Sequence, residues 1–240
     1  MYFDIHSHIL PAIDDGAKNK TQALKLLKMM EEDRISDVLA TPHFYSEQME
    51  LIDFLEDRKN AYESILPYIE DKAPKIYLGA EVLYFVNLGN FRGIKKLTLN
   101  NSKYILLEMK NKYMGKLLFN DFELLAENGI IPIIAHIERY YKNKNFKLLL
   151  KEVKEKNIPV QINATSFFKF RYKKVIKKIF KMGLFCVLAT DTHSVEHRPP
   201  LMRNAMKYVS EKYGKKQANR LMENSRKLYN EIIGDNFDQQ

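Results

Sequence analysis

Histidine is the side chain that titrates nearest neutrality and the commonest protein metal ligand. This 240-residue sequence spaces its six histidines in a telling way. His6 and His8 form a His-x-His pair in DIHSH, and Asp191 with His193 repeats the spacing in DTH. Residues i and i+2 of a strand project to the same side, so each pair can grip one cation together. His43 in TPHF, Glu81 in GAE, Glu108 in LLEM and His136 in AHIERY add further ligand types. One such histidine alone is an ordinary surface or core residue, whereas the whole set placed at equivalent points of successive elements reads as a metal site. The expectation is a cluster of divalent cations on the six histidines and about four carboxylates. Imidazole and carboxylate without thiolate suit manganese, iron, zinc or magnesium in an open catalytic site, not structural zinc.

Two arginines fall beside these residues: Arg139, three after His136, and Arg198, five after His193 in DTHSVEHRPP. A guanidinium fork matches phosphate oxygens. The alternative is a salt bridge to Glu138 or Glu196. Three divalent cations would carry +6 and the carboxylates Asp15, Glu81, Glu108 and Asp191 would return −4, a surplus that attracts a dianion and suits phosphoryl transfer. Cys186 lies in the apolar run LFCVLA, and the position six residues on is Thr192 where a cysteine phosphatase needs arginine. It reads as a buried, inert thiol.

Something must bring these distant residues together. Seven apolar or β-branched runs read as buried strands: Tyr2 to Ile5, Asp37 to Ala40, Ile76 to Leu78, Tyr104 to Leu107, Ile131 to Ala135, Pro159 to Ile162 and Leu184 to Ala189. Helical spacing follows the first at Ala23, Leu24, Leu27 and Met30, with Thr21 as the N-cap. Further helices read over Leu117 to Asn128, Tyr172 to Met182, Leu201 to Tyr213 and Gln217 to Ile233, and lysine-rich faces over Lys147 to Lys156 and Lys173 to Lys181. Strand and helix alternating in this way predict an α/β fold, a distorted (β/α)7 TIM-like barrel. His6 and His8 end the first strand, His43 follows the second, Glu81 the third, Glu108 the fourth, His136 the fifth, and Asp191 with His193 the seventh. Parallel strands of a barrel all end on one face, where such ligands meet.

With 45% hydrophobic residues and no low-complexity linker, residues 1–240 read as one domain. Met1 to His8 alternates charged and apolar residues, unlike a signal peptide, and no apolar run approaches the roughly 20 residues needed to span a bilayer. A single cysteine agrees with a reducing compartment. The expectation is a soluble cytoplasmic protein without membrane insertion. Lysine and arginine exceed acids by 39 to 30, a net charge of +9 that attracts anionic partners but does not choose among them.

The ordered set DIHSHILPAIDDGAK, ATPHF, GAE, LLEM, PIIAHIERY, QINATS and ATDTHSVEHRPP, spanning the first strand to about residue 230, resembles the polymerase and histidinol phosphatase (PHP) superfamily. Within it the match is to the bacterial tyrosine-protein phosphatases of capsule and exopolysaccharide synthesis. The resemblance implies a PHP-type barrel with three divalent ions, commonly manganese. One would take His6, His8, Glu81 and Asp191, a second Glu81, Glu108 and His136, and a third Asp15, His43 and His193. Arg139 and Arg198 match phosphate-binding arginines. The implied activity is hydrolysis of phosphotyrosine on the C-terminal tail of a membrane-anchored tyrosine autokinase, by direct attack of a metal-bound hydroxide, with no nucleic acid as partner. Ala12 stands where a glycine is common, and the neighbouring acids Asp14 and Asp15 compete for one ligand role, the spacing of seven from His8 favouring Asp15.

Three other readings share parts of this pattern. A histidinol-phosphatase-like small-molecule phosphoesterase would use the same metals in a closed pocket, and a TatD-type nuclease would fit the charge. A non-catalytic regulatory module is expected to have lost ligands, and none is missing here.

Overall fold

The structure, a computed structural model, describes residues 1–110 and 114–234. Its strands are β1 (Tyr2–Ser7), β2 (Ile35–Ala40), β3 (His43–Phe44), β4 (Lys75–Leu78), β5 (Glu81–Leu83), β6 (Tyr104–Glu108), β7 (Ile131–Ile134), β8 (Val160–Asn163) and β9 (Cys186–Ala189). Every paired neighbour is parallel, in the orders β1-β2-β4 and β3-β5-β6-β7-β8-β9. The seven expected strands are all present, and two of them are each broken into a pair, β2/β3 and β4/β5.

The break is a shared jog. Ala40 pairs with Leu78 before it and His43 with Glu81 after it, so both strands advance by the same three residues. Pro42 lies inside the jog, where a missing N–H cannot continue a ladder. Its carbonyl instead accepts from the Glu81 N–H at 3.1 Å. His43 and Glu81 therefore start new strands side by side, in place of following the ends of old ones.

The two sheets join through these jogs, and the ring is closed by the seam between β1 and the end of β9. Ser7 bridges Thr192 in parallel fashion, the His8 N–H donates to the Thr192 carbonyl at 2.8 Å, and the Asp191 N–H donates to the His6 carbonyl at 2.9 Å. Behind the seam the buried Asp4 carboxylate accepts from the Thr190 N–H at 2.9 Å and its hydroxyl at 2.5 Å. The expected α/β fold with parallel strands is thus present, its β1–β9 seam lying at the site-bearing end.

Alternating side chains of the strands feed two apolar clusters, as a period of two requires. Ile105, Leu107, Ile134 and Leu188 pack outward with helix residues such as Leu26, Phe122, Leu150, Ile176 and Val209. Their neighbours Leu106, Ile133 and Val187 pack with Phe3, Ile5, Leu228 and Ile232. Those helices are α1 (Lys20–Glu32), α2 (Leu51–Glu63), α3 (Lys116–Glu127), α4 (Phe146–Glu155), α5 (Lys173–Met182), α6 (Met202–Tyr213) and α7 (Lys215–Ile232). The sequence reading gave no helix for α2, whose one fully buried side chain, Phe54, leaves almost no apolar periodicity to detect. The N-cap of α1 is Asn19, not Thr21: its side chain accepts from the Gln22 N–H at 3.0 Å. Asparagine caps as well as threonine and sits at the true first turn.

Ala12 has φ 59° on an exposed turn, a left-handed conformation that costs an L-residue roughly 1 kcal/mol and glycine little. Ala12→Gly is therefore expected to raise the melting temperature by about 2–4 °C. Thermal unfolding checks this, and a lowered melting point would contradict it.

Candidate metal centre

Strand ends and the loops beyond them carry the chemistry. His6 projects from β1 and His8 from the residue after it, and their Nε2 atoms come within 3.1 Å of each other, as the i, i+2 spacing predicted. Glu81 Oε2 lies 3.2 Å from His6 Nε2, 3.3 Å from His8 Nε2 and 3.0 Å from His43 Nδ1. Glu81 Oε1 faces His136 Nε2 at 2.9 Å, and Glu108 Oε1 faces the same nitrogen at 3.5 Å. Asp15 Oδ1 stands 3.4 Å from His43 Nε2 and 3.2 Å from His193 Nε2. Asp191 Oδ1 is 3.4 Å from His6 Nε2 and 3.5 Å from His193 Nδ1. All nine predicted ligands converge. Potential ligand atoms group as His8, Asp15, His43 and His193, as His6, His8 and Glu81, and as His43, Glu81 and Glu108. His136 joins these groups through Glu81 and Glu108, whereas His197, the sixth histidine, is exposed on the loop before Arg198 and meets none of these carboxylates among the described residues, so five histidines line the cluster.

Four of the five rings are held from behind, while His43 turns Nδ1 to Glu81 and Nε2 to Asp15. His8 Nδ1 donates to Asp14 Oδ2 at 2.6 Å, and His193 Nδ1 donates to the Asp191 carbonyl at 2.9 Å. His6 Nδ1 donates to Gln161 Oε1 at 3.3 Å, an oxygen fixed by the His136 N–H at 2.6 Å. His136 Nδ1 pairs with Tyr140 Oη at 3.2 Å, an oxygen that also accepts from the Met109 N–H at 3.0 Å. Committing Nδ1–H in this way aims Nε2 inward, the arrangement that orients imidazole toward a metal.

Asp14 and Asp15 thus separate. Asp14 sits behind His8, accepting also from the Gly16 N–H at 2.8 Å and the His43 N–H at 3.1 Å. Asp15, 64% exposed, puts its oxygen among the ligand atoms. A Cβ on Gly16 would meet the His8 carbonyl oxygen at 2.1 Å, so the DDG turn lies against His8 only because that residue is glycine.

Burial disfavours charge on His8, but Asp14 and Glu81 outweigh it and lift the ring to about 9. His43 is likewise raised to about 11, burial being overcome by Asp15 and Glu81. Burial lowers His136 to about 4, and burial with the neighbouring His8 charge lowers His193 to about 3. Burial and the adjacent Glu81 push Glu108 up to about 7. Glu81 itself is held low, because the surrounding histidines outweigh its burial. Glu81 Oε2, His43 Nδ1 and His193 Nε2 nevertheless have no aligned hydrogen-bond partner. Closely packed ligand-type atoms without aligned partners in a buried hollow, each costing about 1–3 kcal/mol, are what a cation would satisfy once the imidazoles give up their protons. The donor set of imidazole and carboxylate fits hard or borderline divalent ions.

Two ligand positions are conformationally unusual. His136 has φ 31° and Asp191 φ 53°, left-handed backbone at non-glycine residues, worth roughly 1–3 kcal/mol each and characteristic of functional sites.

Asp191 faces two ways. Its Oδ1 looks into the histidine cluster, while Oδ2 accepts from Arg139 Nη2 at 2.5 Å, from Arg198 Nη2, and from Asn163 Nδ2 at 2.5 Å. The arginines therefore meet on Asp191, not on Glu138 or Glu196. Glu138 is buried instead against the Ser166 hydroxyl at 2.6 Å and the Asn163 N–H at 3.3 Å. Both arginines remain about one-third exposed, at 35% and 33%, and so open to a ligand. Sequence reasoning missed the roles of Asp14, Tyr140, Gln161 and Asn163. Gln161 and Asn163, alternate residues of β8 in QINATS, form the link from His6 to Asp191 through a 2.6 Å amide hydrogen bond.

Parallel strands thus carry, at their ends and jogs, a histidine–carboxylate cluster that could hold divalent ions, with a cationic rim. The chain belongs to the CpsB/CapC family of capsular polysaccharide synthesis, whose model matches residues 2–230. It is 30% identical over 241 residues to the tyrosine-protein phosphatase CpsB of Streptococcus pneumoniae, covering 94% of this chain and 97% of that protein. It is 28% identical over 233 residues to the tyrosine-protein phosphatase YwqE of Bacillus subtilis (strain 168), covering 94% and 90%. A crystal structure from the pair YwqE of Bacillus subtilis and CpsB of Streptococcus pneumoniae, described as unique metal-dependent tyrosine phosphatases, superposes with a TM-score of 0.80. That match has 26% identity and covers 93% of this chain and 92% of the other.

If Asp14 orients His8, Asp14→Ala should weaken divalent-metal affinity by about 10–100-fold while the circular dichroism spectrum stays native. Calorimetric titration with manganese measures it. Unchanged affinity would place Asp14 outside the support of the site.

Proposed function

We propose that this chain is a metal-dependent tyrosine phosphatase working as one domain over residues 1–240. Its substrate is phosphotyrosine on the tail of a membrane-anchored tyrosine autokinase of capsular or exopolysaccharide synthesis. The reading places it in the cytoplasm, with no nucleic acid as partner. Among the described residues no helix is long and apolar enough to cross a membrane.

The observation that carries the proposal is the two-sided Asp191, which sets a pair of exposed guanidinium groups against a cluster of inward-facing imidazoles and carboxylates. His6, His8, Glu81 and Asp191 would hold one ion, Glu81, Glu108 and His136 a second, and Asp15, His43 and His193 a third, with manganese the favoured metal and Glu81 between sites. His8 lies close enough to the third group to share it. Bound divalent ions would supply Lewis acidity toward phosphoryl oxygens and acidify a water for attack on phosphorus.

The protein's own side chains do the rest. Arg139 and Arg198, held by one carboxylate oxygen, are already positioned to donate to the equatorial oxygens of a phosphoryl group, where negative charge grows during transfer. Asp191 keeps them from swinging into solvent when no substrate is bound. Cys186 takes no part: it is buried, and burial pushes its thiol up to about 12, far from a nucleophilic thiolate.

Arg139→Ala and Arg198→Ala should each lower kcat by about 10²–10³, with metal content intact. Lysine at either position should recover only part of the rate, because it keeps charge but loses the fork. Wild-type turnover of a phosphotyrosine peptide by both alanine variants would refute the phosphate clamp.

Chelator should abolish turnover and manganese restore it, while Cys186→Ser should retain it. Activity surviving exhaustive chelation, or a trapped phosphocysteine, would contradict the metal-dependent route.

A further inference from the structure

A cleft of about 470 Å³ opens directly beside the metal centre. Asp15, His193 and Arg198 belong both to it and to the site, so the cleft begins where the phosphoryl group would sit. Its volume lies in the range that accommodates side chains of a bound ligand.

The charges of its walls are uneven. Lys18, just before α1, and Lys25, on the exposed face of α1, line one side, and neither has an acidic partner within 4 Å among the described residues. The Lys18 ammonium is tied back at 3.1 Å to the Asp15 carbonyl, an uncharged acceptor that leaves its positive charge uncompensated. Arg198 adds a third cation at the inner end. Of the two carboxylates lining the cleft, Asp15 faces His43 and His193, which leaves Glu196 alone against the lysines and Arg198. The opposite wall is preformed, since Ser194 Oγ accepts from the N–H groups of His197 and Arg198 at 3.1 and 3.2 Å. A wall held by these bonds, in one cleft with lysines that lack an acidic partner, is a seat that costs little to order when an anion arrives.

We propose that this cleft binds a second anionic group of the substrate polypeptide, a carboxylate side chain or another phosphoryl group, a few residues from the phosphotyrosine being cleaved. The inference rests on the tyrosine phosphatase reading. Asp15, His193 and Arg198 line the same cleft as Lys18 and Lys25, so the second anion belongs a few residues from the scissile group, roughly two to four at about 3.3 Å each. Lys18 and Lys25 act on substrate affinity and not on the chemical step, because neither is bonded to a ligand atom or an arginine, Lys18 meeting only the backbone carbonyl of Asp15.

The test uses the metal-loaded full chain and four substrates: p-nitrophenyl phosphate and three phosphotyrosine peptides. One peptide has neutral flanks, one has glutamates two to four residues away on both sides, and one has a second phosphotyrosine in that window. Wild type should show KM about tenfold lower for the two anionic peptides than for the neutral one, with similar kcat. In the double variant Lys18→Gln, Lys25→Gln the three peptides should become equivalent in KM, while p-nitrophenyl phosphate is turned over as before. The relative gain from glutamate and from phosphotyrosine identifies which anion the cleft prefers. Equal KM for all peptides in wild type, or a preference that survives the double variant, would overturn the inference and leave the phosphatase reading standing. Absence of turnover on every substrate would overturn that reading, and this inference with it.

Discussion

Everything at the centre follows from where the imidazole protons are committed. His6, His8, His136 and His193 each present Nδ1 to a partner behind the ring, which sends Nε2 toward Glu81, Glu108, Asp15 and Asp191. Ring nitrogens and carboxylate oxygens then crowd a largely buried hollow, and several of them lack aligned partners. Protons on His8 and His43 answer part of that negative charge. Divalent ions would answer it better, with binding free energies on the order of 10 kcal/mol for well-made protein sites. That is enough to outweigh the strain of two left-handed residues at roughly 1–3 kcal/mol each.

The fold serves this hollow by breaking its own regularity where the ligands stand. A jog shared by two neighbouring strands brings His43 and Glu81 level, and left-handed turns after β7 and β9 redirect His136 and Asp191 inward. The Asp4–Thr190 hydrogen bonds hold the seam on which His6, His8 and Asp191 depend. Asp191 then couples the cluster to the arginine pair, so the groups that would meet phosphate are positioned by the same residue that faces the metal side. Gln161 and Asn163 stiffen that coupling from β8.

The ligand types were legible in the sequence because chemistry restricts them to few residues, and because strands with period two and parallel direction dictate where their ends meet. The His6–His8 pair follows from spacing and topology alone, whereas the grouping of Asp15 with His43 and His193 was implied by the family resemblance. The jogs were hidden, since Thr41–Pro42 and Gly79–Ala80 look like ordinary strand ends and nothing local says that pairing resumes beyond them. His197 was indistinguishable by type from the five convergent histidines, and only its place on an exposed turn removes it. Asp14 was ambiguous with Asp15 because adjacent residues differ in direction, which depends on the close approach of Gly16 to His8. The arginines were expected to meet phosphate or nearby glutamates, and their meeting on Asp191 required the three-dimensional placement of β7 and β9.

The central claim is that inward Nε2 atoms and the carboxylates between them form a multinuclear metal centre. A crystal structure of manganese-soaked protein, with anomalous difference maps collected at the manganese edge, tests it most directly. The account predicts three peaks, with the Nε2 atoms of His6, His8, His136 and His193 at bonding distance, about 2.1 Å, and Nδ1 of each ring still on its present acceptor. Peaks confined to surface carboxylates, or an empty cluster at saturating manganese, would contradict it.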